Sequence, residues 1–367
     1  MGSRKASVLV GMSGGVDSAV AAALLSEEGF EVVGITMRLW TDPSGDPTAG
    51  GCCSLAGVEA ARRTCAELGI EHVVVDLHDE FERHVVQPFV DSYLSGTTPN
   101  PCVLCNRFVR FDRLLRLASQ MGLGRVATGH YVRSDYDSGS GRYALRVARC
   151  IEKDQTYMLY RLTQDQLAAA IFPLGEMPSK ATVRDWARSR GLSVAARRES
   201  QDVCFVTAGG YGEFVDRRSG GRMRAGSFIA EDGRIAGAHG GIANFTIGQR
   251  KGLPSSASGP KYVTGIEPAS GAIRIGPEAD LWSYRLMAVE PVWVSIDEPV
   301  GPIALRGRIR YNGVMSRAVV TPVSGGLRAV FDIPQRAVTP GQSAVFYDDD
   351  RVCCGGIIAT ATEGAPR

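Results

Sequence analysis

Residues Ser13–Ser18 read SGGVDS and lie between a short apolar run, Ala6–Gly11, and a stretch of helical composition, Ala19–Glu28. Adjacent glycines at a strand-to-helix turn let the backbone bend sharply and approach a ligand closely. The amides of such a turn and the helix N-terminus form an anion site, to which the Ser13 and Ser18 hydroxyls add donors. A buried strand must therefore deliver the chain to this loop, and a helix must leave it. The loop lacks the Gly-Lys-Ser/Thr ending of a Walker A sequence and the G-x-G-x-x-G spacing of a dinucleotide site. A lone Ser-Gly-Gly is as well explained by packing; the six-residue run in the first strand–helix turn points to a nucleotide.

The next hundred residues keep that rhythm. Glu31–Thr36 and His72–Asp76 read as strands and Ser54–Leu68 as a helix; Glu80–Ser95 and Arg107–Gln120 are helical, and Arg125–Thr128 is strand-like. Alternation of this kind predicts an α/β, doubly wound parallel sheet, with ligands beyond the carboxyl ends of its strands. After about Val206 the texture changes. Ala208–Lys261 is glycine-rich, without a long amphipathic helix, and Tyr284–Thr360 consists of short alternating runs parted by Pro and Gly. A small central β-rich domain and a C-terminal antiparallel β-barrel are expected, with domains at 1–206, 207–278 and 279–367. A chain of 367 residues has room for two or three cores.

Charge is informative only locally, since the net value is +2. From Pro299 to Phe331 there are five arginines (306, 308, 310, 317 and 328) and no acid; Arg217–Ala230 holds four more, again with none. Such stretches suit a surface facing an anion, or a merely solvated face. Strict alternation over Leu305–Tyr311 puts Arg306, Arg308 and Arg310 on one side of a strand, as a phosphate-reading stripe or a solvated edge. No run of eighteen apolar residues is present, so no membrane helix is expected, and the short N-terminal apolar run reads as a strand, not a signal peptide. A cytoplasmic, monomeric protein is the expectation.

Nine cysteines are an odd number for a disulfide framework and favour catalytic or metal-binding thiols. Asn100–Asn106, NPCVLCN, places Cys102 and Cys105 ahead of a helix, where a thiol's pKa falls. Nucleophile, zinc half-site and redox pair all remain open at this spacing. Cys204 lies downstream of Arg197 and Arg198, which suit a thiolate. Cys52, Cys53 and Cys65 could be further ligands, redox thiols or core; Cys150, Cys353 and Cys354 read as packing. His72, His78, His84 and His239 show no metal-ligand spacing and read as structural or surface groups.

SGGVDS resembles the pyrophosphatase-loop enzymes, with the adenine-nucleotide-hydrolase fold. That likeness implies ATP held by Gly11, Met12, Ser13, Gly14, Gly15, Val16, Asp17 and Ser18, with Asp17 helping Mg²⁺, and an adenine pocket completed by Met37 and Gly129. The ordered set SGGVDS, TPNPCVLCN, ATGHY, KDQTYMLYRL, FPLGE, ESQDVCF, TIGQRKGL and TPGQSAVFY resembles the bacterial tRNA-specific 2-thiouridylase family over Val8 to about Ile358. The resemblance implies Cys105 as nucleophile, Cys204 as persulfide carrier and a Cys105–Cys204 disulfide on sulfur release. It also implies tRNA contacts at Asn100, Pro101, Cys102, His130, Lys153, Asp154, Gln155, Arg310, Tyr311 and Gln342, and a sulfur-donor protein or relay. Cys102 departs from the pattern, because well-known members carry an aspartate there as acid/base. Cys102, Cys105 and Cys204 instead resemble the ligand set of a [4Fe–4S] cluster in related thiolases. Another pyrophosphatase-loop ligase, or a non-catalytic RNA- or zinc-binding module, are the remaining readings.

Overall fold

The computed structural model describes residues 6–40, 55–197, 203–206, 210–256 and 259–361. Strand β1 (Ser7–Gly11) runs into α1 (Val16–Glu27), followed by β2 (Glu31–Arg38), α2 (Leu55–Leu68) and β3 (Glu71–Asp76). Two short helices, α3 (His78–Phe81) and α4 (Gln87–Leu94), flank a π-helical turn at Glu82–Val86. Next come α5 (Pro101–Leu104), a second π-helical stretch at Cys105–Phe111 and α6 (Asp112–Gln120). Helix thus begins six residues before the amphipathic pattern at Arg107 announces it, because Asn100 caps it and Pro101 opens it.

Strand β4 (Arg125–Ala127) returns to the first sheet, and β5 (Val132–Asp137) and β6 (Arg142–Val147) form a hairpin. After α7 (Thr156–Leu159) and α8 (Gln164–Ala169), β7 (Ala170–Ile171) completes a parallel sheet of order β3-β2-β1-β4-β7. Helix α9 (Lys180–Ser189) packs on α1. β1 to β3 step outward on one side, whereas β4 lies on the other flank of β1. The order therefore reverses between β1 and β4, where ligands of such sheets bind.

The central region is not free of helix: α10 (Gly210–Ser219) precedes β8 (Gly226–Ile229), β9 (Ile235–His239), β10 (Tyr262–Glu267) and β11 (Ala272–Gly276). Phe214 and Val215 of α10 are buried in the core of the first domain, so the helix is specified by a partner surface that its own short pattern does not reveal. The C-terminal strands β12 (Trp282–Trp293), β13 (Ile303–Arg308), β14 (Ser316–Val323), β15 (Gly326–Arg336), β16 (Ser343–Asp348) and β17 (Arg351–Ala361) form an antiparallel barrel closed by β12–β17 pairing. Leu286, Val320, Leu327, Phe331, Phe346 and Ile358 fill it. The β5–β6 hairpin adds to this barrel at Arg351–Arg146, and Val345, Tyr347 and Val352 share the first domain's core.

Candidate active site

Gly14 has φ +72°, and a Cβ there would lie 2.2 Å from the Gly57 carbonyl oxygen, so the turn admits glycine alone. Gly15 caps α1, and the Ser18 hydroxyl donates to its carbonyl at 3.0 Å while accepting the Ser13 amide at 3.2 Å. Met12 is pinned to β2 by its amide on Ile35 O (2.7 Å) and by the Thr36 hydroxyl on its carbonyl (2.9 Å). Gly129, in the loop after β4, is equally constrained: a Cβ would meet Asp17 and Ser18 backbone at 2.7–2.9 Å. The loop after β4 therefore lies against the backbone of the first turn of α1 at the switch point. Gly11 abuts Leu114 and Thr128, Val16 is buried, and Met37 is buried near the carboxyl end of β2.

Asp17 is already paired. Lys180, first residue of α9, places Nζ 2.7 and 2.6 Å from its two oxygens, and the Tyr131 hydroxyl donates at 2.7 Å. Tyr131 in turn exchanges backbone bonds with Gln155, donating to its Oε1 at 2.9 Å and accepting its amide at 3.0 Å. Arg197 donates to Gly14 O at 2.9 Å and holds the underside of the loop.

The thiols occupy the helix that starts at Pro101. Asn100 Oδ1 accepts the Cys102 amide at 3.1 Å, leaving Cys102 exposed on the first turn. Cys105 opens the π-helical stretch and is buried, and Asn106 fixes that stretch by donating to Met158 O at 3.2 Å. π-helical segments are rare and concentrate at functional sites. Cys204, half-buried, packs against the core that includes Cys105. Its neighbour Phe205 is locked among Phe81, Phe89 and Phe214 at ring distances of 5.5, 5.1 and 5.3 Å.

The far end of the π-helical stretch touches the loop after β4, where Phe111 lies 6.0 Å from His130. His130 is buried beside the Thr128 hydroxyl (2.8 Å), and burial, with Arg110 nearby, holds its pKa down at about 3. It is a neutral imidazole at neutral pH.

Of the other cysteines, Cys65 is in the core with its pKa pushed up to about 11 by burial, and Gly34 makes room for its sulfur. Cys150, Cys353 and Cys354 are buried too. Cys52, Cys53 and Arg198 lie outside the described residues. Among the described residues no group of three or more His, Cys, Asp or Glu side chains is arranged to hold a metal ion. Cys102, Cys105 and Cys204 do not form such a group, and the Asp17 carboxylate is held by Lys180 and Tyr131. His72 bonds Thr36, His78 stacks on Trp40, His84 on Phe108, and His239 bonds Gly271 O, all in packing roles.

The barrel meets this site at one junction. Asp154 is 4% exposed and accepts from Arg308 at 2.7 Å and from the Thr156 hydroxyl at 2.6 Å. The arginine stripe of Leu305–Tyr311 is therefore divided, and its strand ends at Arg308. Arg306 is exposed, Arg308 turns inward, and Arg310 donates to the carbonyls of Arg336 and Ala337. Tyr311 is half-buried, and burial and Asp154 push its phenol up; Arg308, Lys153 and Cys102 are within electrostatic reach. Lys153 is half-buried and Gln342 donates from Nε2 to Thr98 O at 2.8 Å, two residues before Asn100. Three of the four arginines of the second run meet acids distant in sequence or one turn away: Arg217 pairs with Glu213, Arg218 with Glu82, and Arg222 with Asp91. Lys180 lies in none of the sequence motifs; Tyr131, the last residue of ATGHY, and Arg197, a partner for Cys204 on sequence grounds, are brought to the loop only by the fold.

Three family profiles match in succession: a "tRNA methyl transferase HUP domain" over residues 6–208, a "tRNA methyl transferase PRC-barrel domain" over 212–277 and an "aminomethyltransferase beta-barrel domain" over 283–358. The chain is 45% identical to a tRNA-specific 2-thiouridylase of Acetivibrio thermocellus over 96% of this chain and 99% of that one. It is 46% identical to one of Caldanaerobacter subterraneus subsp. tengcongensis over 96% and 97%, and 41% to one of Clostridium perfringens over 96% and 98%. With identity of this depth along its whole length, the chain belongs to the tRNA-specific 2-thiouridylase family.

Proposed function

We propose that this chain uses ATP to replace the 2-oxygen of the wobble uridine of tRNA by sulfur, carried as a persulfide on Cys204. The observation that carries the reading is the packing of the loop after β4, at Gly129, on the first turn of the helix that leaves SGGVDS, with the π-helical stretch opened by Cys105 ending against that same loop. A loop suited to a polyphosphate, beside a thiol-bearing helical stretch whose far end reaches the neighbouring loop, suits activation of an oxygen followed by thiol chemistry. Methyl transfer, the term in two profile descriptions, needs neither a pyrophosphate cradle nor a thiol pair.

In this reading Gly11–Ser18 hold the triphosphate and Met37 and Gly129 border the adenine. The uracil 2-oxygen attacks the α-phosphorus and pyrophosphate departs, leaving an adenylate whose oxygen is a good leaving group. The terminal sulfur of the Cys204 persulfide attacks C2, and AMP leaves with the oxygen. The Cys105 thiolate then attacks Cys204 Sγ, breaking the S–S bond; sulfur stays on C2 as the thiocarbonyl and a Cys105–Cys204 disulfide forms. A cellular thiol reduces that disulfide, and a persulfide-bearing donor reloads Cys204. Asn100, Pro101 and Cys102 face the target base, and Lys153, Arg310 and Tyr311 the tRNA. His130, being neutral, contributes a hydrogen bond at most, while Asp154 and Gln155 shape the turn. In this reading the enzyme works in the cytoplasm as a monomer. Among the described residues no helix is long and apolar enough to cross a membrane.

Cys105→Ser and Cys204→Ser should each abolish 2-thiolation of unmodified tRNA while ATP and tRNA dissociation constants stay within about twofold. Pyrophosphate release in the presence of tRNA should survive in both. Full activity of Cys204→Ser would refute the persulfide route. Stoichiometric iron and acid-labile sulfide in an anaerobically purified, active enzyme would replace that route by a cluster.

A further inference from the structure

Parallel pairing of β1 with β2 ends at Gly11 and Ile35, and the Met12 amide still reaches Ile35 O at 2.7 Å. The Met12 carbonyl lies beyond the strand, and a side chain takes the place of the next backbone partner: the Thr36 hydroxyl donates to it at 2.9 Å. Thr36 is 1% exposed, and the same hydroxyl lies 2.9 Å from His72 Nε2 on β3. Gly34, on the same face of β2 and opposite His72 in register, leaves no spare room beneath the loop. A Cβ there would lie 2.7 Å from Cys65 Sγ and 3.1 Å from Met12 Cγ. Met12 is therefore clasped by β2 at both its amide and its carbonyl, over a filled floor.

The chemistry of these groups fixes the direction of each bond. A carbonyl only accepts, so the single proton of the Thr36 hydroxyl goes to Met12 O, and His72 Nε2 is the donor to Thr36 Oγ1. Met12 O and the Ser13 N–H belong to one trans peptide and point in opposite directions. The Ser13 amide donates to Ser18 Oγ at 3.2 Å, and Ser18 gives its own proton to Gly15 O at 3.0 Å. Bonds oriented head to tail thus run from β3 through β2 into the SGGVDS turn, and such chains reinforce one another. We infer that Thr36, oriented by the Nε2–H tautomer of His72, is a positioning residue for the nucleotide. It holds the plane of the Met12–Ser13 peptide, and with it the Ser13 and Ser18 groups that would meet the polyphosphate. This rests on the reading of Gly11–Ser18 as the ATP loop. His72, half-buried on the edge strand, acts through Thr36 and touches no ligand.

The test compares wild type with Thr36→Val, His72→Leu, His72→Gln and the Thr36→Val/His72→Leu double variant, reading ATP and tRNA dissociation constants by calorimetry where all are folded. Thr36→Val keeps the shape and leaves the buried Met12 carbonyl without its donor, so ATP should bind about tenfold more weakly. His72→Leu should weaken ATP binding about fourfold, whereas His72→Gln, which restores an N–H donor, should lie within about twofold of wild type. Affinity for tRNA should stay within about twofold throughout. The double variant should bind ATP no more weakly than Thr36→Val, since both changes cut one path. In nitrogen NMR at about pH 8, where the imidazole is neutral, His72 should carry its proton on Nε2. Wild-type ATP affinity in Thr36→Val, additive losses in the double variant, or a proton on Nδ1 with Nε2 bare would each overturn the inference. So would a His72→Gln variant no better than His72→Leu, which would reduce His72 to ring packing. Absence of ATP binding by the wild-type chain would instead remove the reading of the loop on which the inference depends. Should Thr36→Val fail to fold, the two His72 variants and the NMR signal decide, because they leave the buried threonine in place.

Discussion

Burial and the Arg110 guanidinium hold His130 neutral, which makes it a pH liability for the fold. Its folded pKa is depressed to about 3, whereas the unfolded chain titrates near 6.5. Above 6.5 both states are unprotonated there and the contribution is whole. As pH falls from about 6.5 toward 3, the unfolded state takes up a proton that the folded state refuses, so stability declines by about 1 kcal/mol per pH unit. Denaturant midpoints measured between pH 7 and 5 should therefore fall, and His130→Gln should flatten the decline. An identical pH slope in that variant would mean the loss comes from other groups. The sequence marks His130 through ATGHY, but its charge state depends on a burial that no local spacing reports.

Elements show which signals are local and which are borrowed. SGGVDS, the β1–α1 transition and the β/α alternation were legible because strand, tight turn and helix start are each written in contiguous residues. The π-helical stretch from Cys105 and helix α10 were not, since contacts from elsewhere hold them: Asn106 on Met158 O, Phe214 in the first domain's core. Gly129 is an element-scale constraint of the second kind. Gly129→Ala should drive the loop after β4 off the first turn of α1 and weaken ATP binding by about tenfold or more in calorimetry. Gly124→Ala, where a Cβ meets nothing within 4 Å, should leave it unchanged. Equal ATP affinity in both variants would show that the loop contact is dispensable.

For the whole molecule, the Arg308–Asp154 pair is the buried ion pair among several buried ties between barrel and first domain, with side chains 12% and 3% exposed. Arg308→Met leaves a buried carboxylate without its guanidinium, and removing one partner of such a pair costs about 3–5 kcal/mol. Limited proteolysis should then cut at the domain junction far sooner than in wild type; an unchanged digestion pattern and melting temperature would contradict this. Arg306, exposed on the same strand, belongs to a different experiment. Arg306→Gln should leave stability nearly unchanged and reduce the salt slope of tRNA binding by about one. An unaltered slope would make that side chain a solvated bystander. Identical residues in one alternating run thus have different work, because one of them meets an acid from 154 positions away.

The sequence by itself determined the α/β class, the tight strand-to-helix turn at SGGVDS and the barrel, for these depend on backbone preferences and residue chemistry over a few neighbours. Tertiary structure alone decided which charges are spent. Asp17 goes to Lys180 and Tyr131, Arg308 to Asp154, and the basic run after Arg217 largely to Glu213, Glu82 and Asp91. Several of these partners lie more than a hundred residues away, and the pairings depend on desolvation and proximity, which chain spacing does not encode.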